Sequence, residues 1–343
     1  MTLPRTLPDP ELFLPNSGEP VLRWGVLAPG GIAAAFAGAL RANTAQRLHA
    51  VGSRTLARAE AFAARHGAAN AYGSYEQLVA DPEVDVVYVA APQSEHLALG
   101  LLAIGAGKHV LIEKPMATNA RDALRLVAAA TEAGVFLMEA MWTRYLPQTS
   151  VIRQLLADGV LGAVRAVTAD HGQAIPFDPQ SRLYRKDLGG GALLDLGIYP
   201  IQLDSMVLGA PTAVTAHGRM TETGVDATST LVLAHGPDAQ STLTTTLEYR
   251  TPTVGVISGD EAFIQLDGPF HVPNGFTLSG NGWGGPRVSW SDPTFVGLFN
   301  GLSWEANALA RFVGEGRRES PIHTLEETVS ILETIDEAMR QLA

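Results

Sequence analysis

Residues 21–140 alternate without a break between short apolar runs and helix-patterned segments, and this alternation restricts the fold more than any other feature. VLRWGVLA (21–28), RLHAVGS (47–53), VDVVYVAA (84–91), HVLIE (109–113) and VFLMEA (135–140) read as strands. Between them, IAAAFAGALRA (32–42), LARAEAFAARHG (56–67), EHLALGLLAIGAG (95–107) and ARDALRLVAAATEAG (120–134) read as helices. Strands with near-continuous apolar runs are buried on both faces, and alternating helices supply the cover. The expected fold is α/β, a doubly wound parallel sheet of the Rossmann type.

The pattern changes after about residue 142. A helix (148–158), a strand (163–172) and a helical run after the glycines at 189–191 come first. AVTAHGRM, TSTLVLAHG, QSTLTTTLEY and GVISGDEAFIQL then read as antiparallel strands, and two helices near 301–313 and 325–342 finish the chain. The expected division is a Pro-rich arm (1–20), a nucleotide-binding domain (21–141) and an α+β domain (142–343) with a mostly antiparallel sheet.

Length and composition narrow the function classes. A chain of 343 residues, 46% hydrophobic and 17% charged, is ordinary for a soluble globular protein of about two domains. It contains no cysteine, which removes disulfides, thiolate metal sites and thiol nucleophiles. A net charge of −11 argues against nucleic acid and anionic membranes as partners. No apolar run reaches the length of a membrane span. The first 20 residues carry five prolines and no apolar core, so they read as an extended or unstructured arm rather than a signal peptide; a cytoplasmic location is expected.

VLAPGGIAAAF (26–36) places two glycines between a strand and a helix, the setting of a dinucleotide pyrophosphate site. The usual G-x-G-x-x-G/A fingerprint stands here as Ala28-x-Gly30-x-x-Ala33. Gly30 lets the backbone approach phosphate, and the free N–H groups of the following helix, from Gly31 and Ile32 onward, favour its charge. At the end of the second strand, NAD sites place Asp or Glu on the ribose 2′-hydroxyl. This chain has Ser53, Arg54 and Arg58 there. A hydroxyl and guanidinium groups suit a 2′-phosphate, so NADP is expected over NAD unless the arginines are solvated surface charges.

Further candidates lie at strand ends. Pro92 and His96 follow the third strand, where His96 either reaches the cofactor or packs a helix. Glu113 and Lys114 end the fourth, and a lysine at that edge places positive charge, or a transferable proton, beside a reacting oxygen. In GGGALLDLGIYP (189–200), Asp195 and Tyr199 are four apart and project from one helix face, although Pro200 interrupts the pattern. Tyrosine near an ammonium can act as general acid or base, and Asp195 can orient a sugar hydroxyl or hold the lysine. Trp142 and Tyr145 either wall a substrate pocket or simply pack; Arg144 is placed to bind a substrate oxygen, and His171 is a weaker substrate candidate.

GVLAPGGIA, the Ser53–Arg54 pair, EKP (113–115) and GGGALLDLGIYP together resemble the Gfo/Idh/MocA oxidoreductases. MEAMWTRYLP (138–147) and HTLEETVSILETIDEAMRQ (323–341) look most like that family's branch of dimeric dihydrodiol and NADP-dependent D-xylose dehydrogenases. The resemblance implies a Rossmann domain followed by an open-faced sheet that serves as a homodimer contact. It implies Lys114 and Tyr199 as the catalytic pair, Asp195 near the substrate, Arg54 and Arg58 on the NADP phosphate, and a cis proline in EKP. The expected activity is NADP-dependent hydride transfer to or from a secondary alcohol or carbonyl of a sugar or cyclic polyol. Aryl trans-dihydrodiols are the alternative substrate. A reductase working in one direction and a non-catalytic NADP-binding redox sensor remain the alternative functions.

Overall fold

The computed structural model describes residues 3–294 and 297–342. The chain forms two compact units, neither contiguous in sequence. One gathers Leu12–Tyr145 and Val296–Val329; the other gathers Met1–Glu11, Leu146–Phe295 and Ser330–Ala343. Sequence patterning places a single break near residue 142, whereas a later segment returns to the first unit.

In the first unit the order is β1 (Arg23–Leu27), α1 (Gly31–Asn43), β2 (Arg47–Gly52), α2 (Leu56–His66), β3 (Asn70–Tyr72), α3 (Tyr75–Val79) and β4 (Val86–Val89). Then come α4 (His96–Gly105), β5 (His109–Glu113), α5 (Ala120–Ala133) and β6 (Leu137–Ala140). All six strands are parallel, in the order β3-β2-β1-β4-β5-β6. Every residue of β4 and of β6 is buried, as a sheet covered on both faces requires. The strand order reverses between β1 and β4, which places the ligand crevice beyond the C-terminal ends of these strands.

Local chemistry sets the helix ends. Asn119 caps α5 by accepting from the Asp122 N–H, and Gly134 (φ 65°) closes it. A Cβ on Gly100 would lie 2.6 Å from Leu126 and 2.8 Å from Ile112, so glycine is what lets α4 lie close to α5 and β5. The returning helix α8 (Leu302–Gly314) buries Leu302, Trp304, Ala306, Leu309 and Phe312, an apolar surface that holds this late segment in the first unit. Phe13 of the arm stacks edge-on against Phe312 at 5.5 Å.

The second unit contains α6 (Pro147–Ala157), β7 (Val164–Gly172), α7 (Ile198–Leu208), β8 (Ala213–Met220), β9 (Asp226–His235) and β10 (Ala239–Thr246). It continues with β11 (Gly255–Gly259), β12 (Ala262–Leu266), β13 (Gly275–Gly280) and β14 (Arg287–Ser291). The last helix, α9 (Leu325–Leu342), supplies its C-terminal part. The eight strands run β14-β13-β12-β11-β7-β10-β9-β8, with β7 and β10 parallel and the other neighbours antiparallel. Helix α7 covers one face: a Cβ on Gly255 of β11 would lie 2.7 Å from Leu203 of α7. Exposed and covered residues alternate along β14, the signature of a sheet with one open face. The arm is held rather than loose, since the Glu11 N–H donates to Ser150 Oγ at 2.9 Å and Gln154 donates to the Asp9 carbonyl at 3.0 Å.

Candidate active site

The turn after β1 carries the nucleotide signature. Ala28 adopts φ 63°, a left-handed conformation that favours glycine, so the alanine at the fingerprint's first position tolerates the turn at a cost of about 1–2 kcal/mol. Gly30 is the N-cap of α1 and no side chain caps the helix, which leaves the amides of Gly31 and Ile32 without a side-chain acceptor. A Cβ on Gly31 would meet nothing within 4 Å and one on Gly30 only the Ala28 carbonyl at 3.9 Å. Packing within the protein therefore does not demand these glycines, and an anion has open access to the helix end. At the end of β2, Ser53 is buried and Arg54 and Arg58 are exposed. Both arginine charges act on Tyr75, opposing the upward push that burial gives its hydroxyl. The donor set fits a nicotinamide dinucleotide.

The ends of β4 and β5 hold the second group. Pro92 is exposed, and Lys114 is half-buried and joined to Pro115 by a cis peptide bond. Glu113 faces inward, accepting from the Tyr88 hydroxyl and the Lys114 N–H. Burial raises its pKa, with Tyr88 and Lys114 pulling the other way. His96, read from sequence as either a cofactor contact or a packing residue, lies inside the unit. Its ring is fully buried, with Nδ1 2.8 Å from the Pro115 carbonyl and Nε2 2.9 Å from the Ala91 carbonyl. Burial lowers its pKa against the pull of the two carbonyls.

The buried guanidinium of Arg144 forms an ion pair with Glu327 at 2.5 Å and reaches the Ile322 carbonyl. Trp142 is buried. Tyr145 is an interior residue that donates to Ser320 Oγ at 2.8 Å, and burial pushes its hydroxyl pKa up. The Arg144 ion pair continues through His323, whose Nδ1 is 3.3 Å from Glu327 and whose Nε2 is 2.7 Å from Glu139. Burial works to lower the His323 pKa, and hydrogen bonds to Glu139 and Glu327 overcome it and raise it above the ordinary value. Burial likewise works against ionised Glu327, but His323 and Arg144 hold it below the usual carboxylate range.

Glu305 of α8 escaped the sequence reading. It is 0% exposed and neither carboxyl oxygen has a hydrogen-bond partner among the described residues. Burial, then the Glu113 charge, raise its pKa well above the ordinary value. A raised folded-state pKa makes the unfolded chain ionise first as pH rises above about 4.5, so stability falls across that window by up to about 1.4 kcal/mol per pH unit. Glu305→Gln removes this term. Thermal unfolding followed between about pH 5 and pH 7 should show a flatter pH dependence in the variant; parallel curves would contradict the buried neutral acid.

In the second unit, the glycines at 189–191 lead into a π-helical turn, Leu193–Gly197, which runs directly into α7. Such turns are common at functional sites. Pro200 follows three residues after this turn, inside a helical stretch continuous from Ala192, and contributes no N–H to it. Asp226, also unread from sequence, accepts the Leu193 N–H at 2.7 Å, and burial pushes its pKa up to about 6. Asp195 pairs with Arg182 at 3.0 Å. The Tyr199 ring lies 5.5 Å from that of His171 and 4.5 Å from that of His271, and the two imidazoles stack at 4.5 Å. The weakest sequence candidate, His171, is thus beside Tyr199. His271, in the PFHVPNG loop after β12, carried no sequence signal.

Comparison with known proteins follows this geometry. The model of an oxidoreductase family with an NAD-binding Rossmann fold, Gfo/Idh/MocA, matches residues 22–141, and that of the family's C-terminal domain matches 149–265. A trans-1,2-dihydrobenzene-1,2-diol dehydrogenase from Xenopus tropicalis is 36% identical over 324 residues, 93% of this chain and 98% of the relative. The chain belongs to the Gfo/Idh/MocA oxidoreductase family. It is accordingly an NAD(P)-dependent oxidoreductase with a Rossmann half and a mostly antiparallel second sheet. The human protein of the same name as the Xenopus relative is 34% identical over 325 residues, 94% of this chain and 97% of that one. Among solved structures, an aldose–aldose oxidoreductase from Caulobacter crescentus complexed with glycerol has a TM-score of 0.81 at 26% identity, covering 94% of this chain and 98% of that one. A 3-ketoreductase from Actinomadura kijaniata, solved with NADP and TDP-benzene, has a TM-score of 0.80 at 28% identity with the same coverage. No helix among the described residues is long and apolar enough to cross a membrane.

Proposed function

We propose that the protein transfers hydride between NADP and a secondary alcohol or carbonyl carbon of a sugar or cyclic polyol. The observation that carries the cofactor choice is the end of β2, where Ser53 is followed by two exposed arginines and no carboxylate. A carboxylate would repel a 2′-phosphate; Arg54 and Arg58 bind it with charge-assisted hydrogen bonds. The uncapped start of α1 at Gly31 and Ile32 takes the pyrophosphate. Bound nicotinamide supplies the carbon that accepts or gives the hydride.

The chain's own residues handle the proton. In oxidation, the substrate O–H proton passes to the Tyr199 phenolate as the C–H bond gives up its hydride and the carbonyl forms; reduction reverses both. The Lys114 ammonium polarises the substrate oxygen and so assists the proton transfer. Asp195 and His171 hold neighbouring hydroxyls, and Trp142 contributes an aromatic wall. A homodimer through the open face of the second sheet accompanies this activity, and its exposed Val232 belongs to that contact.

A second substrate class, aryl trans-dihydrodiols, is favoured by the names of the curated relatives at 34–37% identity. A panel of aldoses, cyclic polyols and a trans-dihydrodiol, tested with NADP by nicotinamide absorbance, separates the two. Faster turnover of polyols or aldoses is expected. Preference for the dihydrodiol would select the second class, and no turnover of any would contradict both.

A further inference from the structure

Lys114 lies on a loop whose next two backbone groups are each held by a buried side chain. His96, the first residue of α4, stands between two carbonyl acceptors, with Nδ1 2.8 Å from that of Pro115 and Nε2 2.9 Å from that of Ala91. A neutral ring has one N–H, and donated from Nδ1 to Pro115 it fastens the loop after β5 to the start of α4. From the other side, Glu139 of β6 accepts the Met116 N–H at 2.8 Å through Oε1. Its Oε2 takes His323 Nε2 at 2.7 Å and the Thr328 hydroxyl at 3.1 Å. His323 is itself braced by Glu327, and Glu327 by Arg144. His96, Glu139 and His323 are all within 2% of complete burial.

Three features set this arrangement apart from ordinary packing. The bonds fall on consecutive residues, Pro115 and Met116, immediately after the lysine. They come from either side of β5, His96 from the helix that follows β4 and Glu139 from β6, at the crevice end. Buried polar groups of this kind are retained against a desolvation cost that apolar packing would avoid.

We propose that His96 and Glu139 are positioning residues for Lys114, clamping its loop from both sides so that the ammonium is presented from a fixed backbone. The proposal rests on the reading of Lys114 as a group acting at the reacting oxygen. A displacement of about 1 Å at such a group costs about a hundredfold in rate.

The test compares His96→Ala, His96→Gln, Glu139→Gln, Lys114→Ala and the His96→Ala/Lys114→Ala double variant in the full chain. Hydrogen exchange of the peptide carrying Met116 is measured without cofactor. NADPH affinity is read by nicotinamide fluorescence, and kcat with the best substrate of the panel. His96→Ala should raise exchange around Met116 while leaving β1 and β2 protected. It should lower kcat by about 10- to 100-fold with NADPH affinity within about threefold. His96→Gln, which keeps a donor, should recover most of the loss. Should His96→Ala not fold, Glu139→Gln, nearly isosteric, carries the same expectation at smaller size. In the Lys114→Ala background, His96→Ala should cost little more, as expected for residues acting as one unit. Additive losses, or exchange raised evenly through the unit, would overturn the clamp while leaving Lys114 catalytic. Wild-type turnover in Lys114→Ala would instead overturn the role of Lys114, and the clamp with it.

Discussion

Tyr199→Phe should lower kcat by about 10²–10⁴-fold, the range for loss of a general acid–base group, while NADPH binding stays unchanged. The substitution removes one oxygen from a ring that is 7% exposed and keeps its packing against His171 and His271, so folding should be little affected. The expected signature is a loss in kcat and kcat/KM together, because the proton moves only in the transition state. Rate constants from steady-state and single-turnover experiments check it. Turnover equal to the wild type would assign the proton to another group, with His271 and His171 the nearest titratable rings. A protein that binds NADPH but shows no turnover even as the wild type would be a sensor rather than an enzyme.

The second large effect is expected at Arg54. Hydrogen bonds to a charged partner are worth about 1.5–3 kcal/mol, and exposure of the guanidinium takes the figure to the lower end through screening. Arg54→Ala should therefore weaken NADPH about tenfold, with NADH changed by less than about twofold. The loss should shrink as salt is raised, since the contact is electrostatic. Equal weakening of both cofactors would show that Arg54 serves the adenosine end generally, not the 2′-phosphate.

Much of this architecture is written in the local sequence. The runs of β1, β4 and β5 are apolar at nearly every position and alternate with helix-patterned segments, so the pattern locates them. Strand β3 and helix α3 are not legible, because three and five residues are too few for a period to develop. Strands β13 and β14 are hidden by the glycine- and proline-rich stretch between them. GVISGDEAFIQL, a single β-like stretch in sequence, is a hairpin of β11 and β12 whose turn falls at Asp260–Glu261.

For the candidate site, legibility follows contact range. The Asp195–Tyr199 spacing is local and marks one helical stretch, although the π turn that carries Asp195 leaves no trace in residue pattern. The partner of Arg144, Glu327, is 183 residues away, and a carbonyl beside His96 belongs to Pro115, so neither contact shows in a local pattern. An exposed arginine and a buried paired one look identical in sequence. Glu305 reads as an ordinary helix glutamate until α8 is seen to be buried on that side.

The most direct measurement is a titration of the purified protein with NADPH and with NADH, following nicotinamide fluorescence. The proposal predicts that NADPH binds at least about tenfold more tightly, the value of one charge-assisted contact at the 2′-phosphate. Equal affinity, or preference for NADH, would contradict the assignment of Ser53, Arg54 and Arg58 and with it the NADP-linked activity.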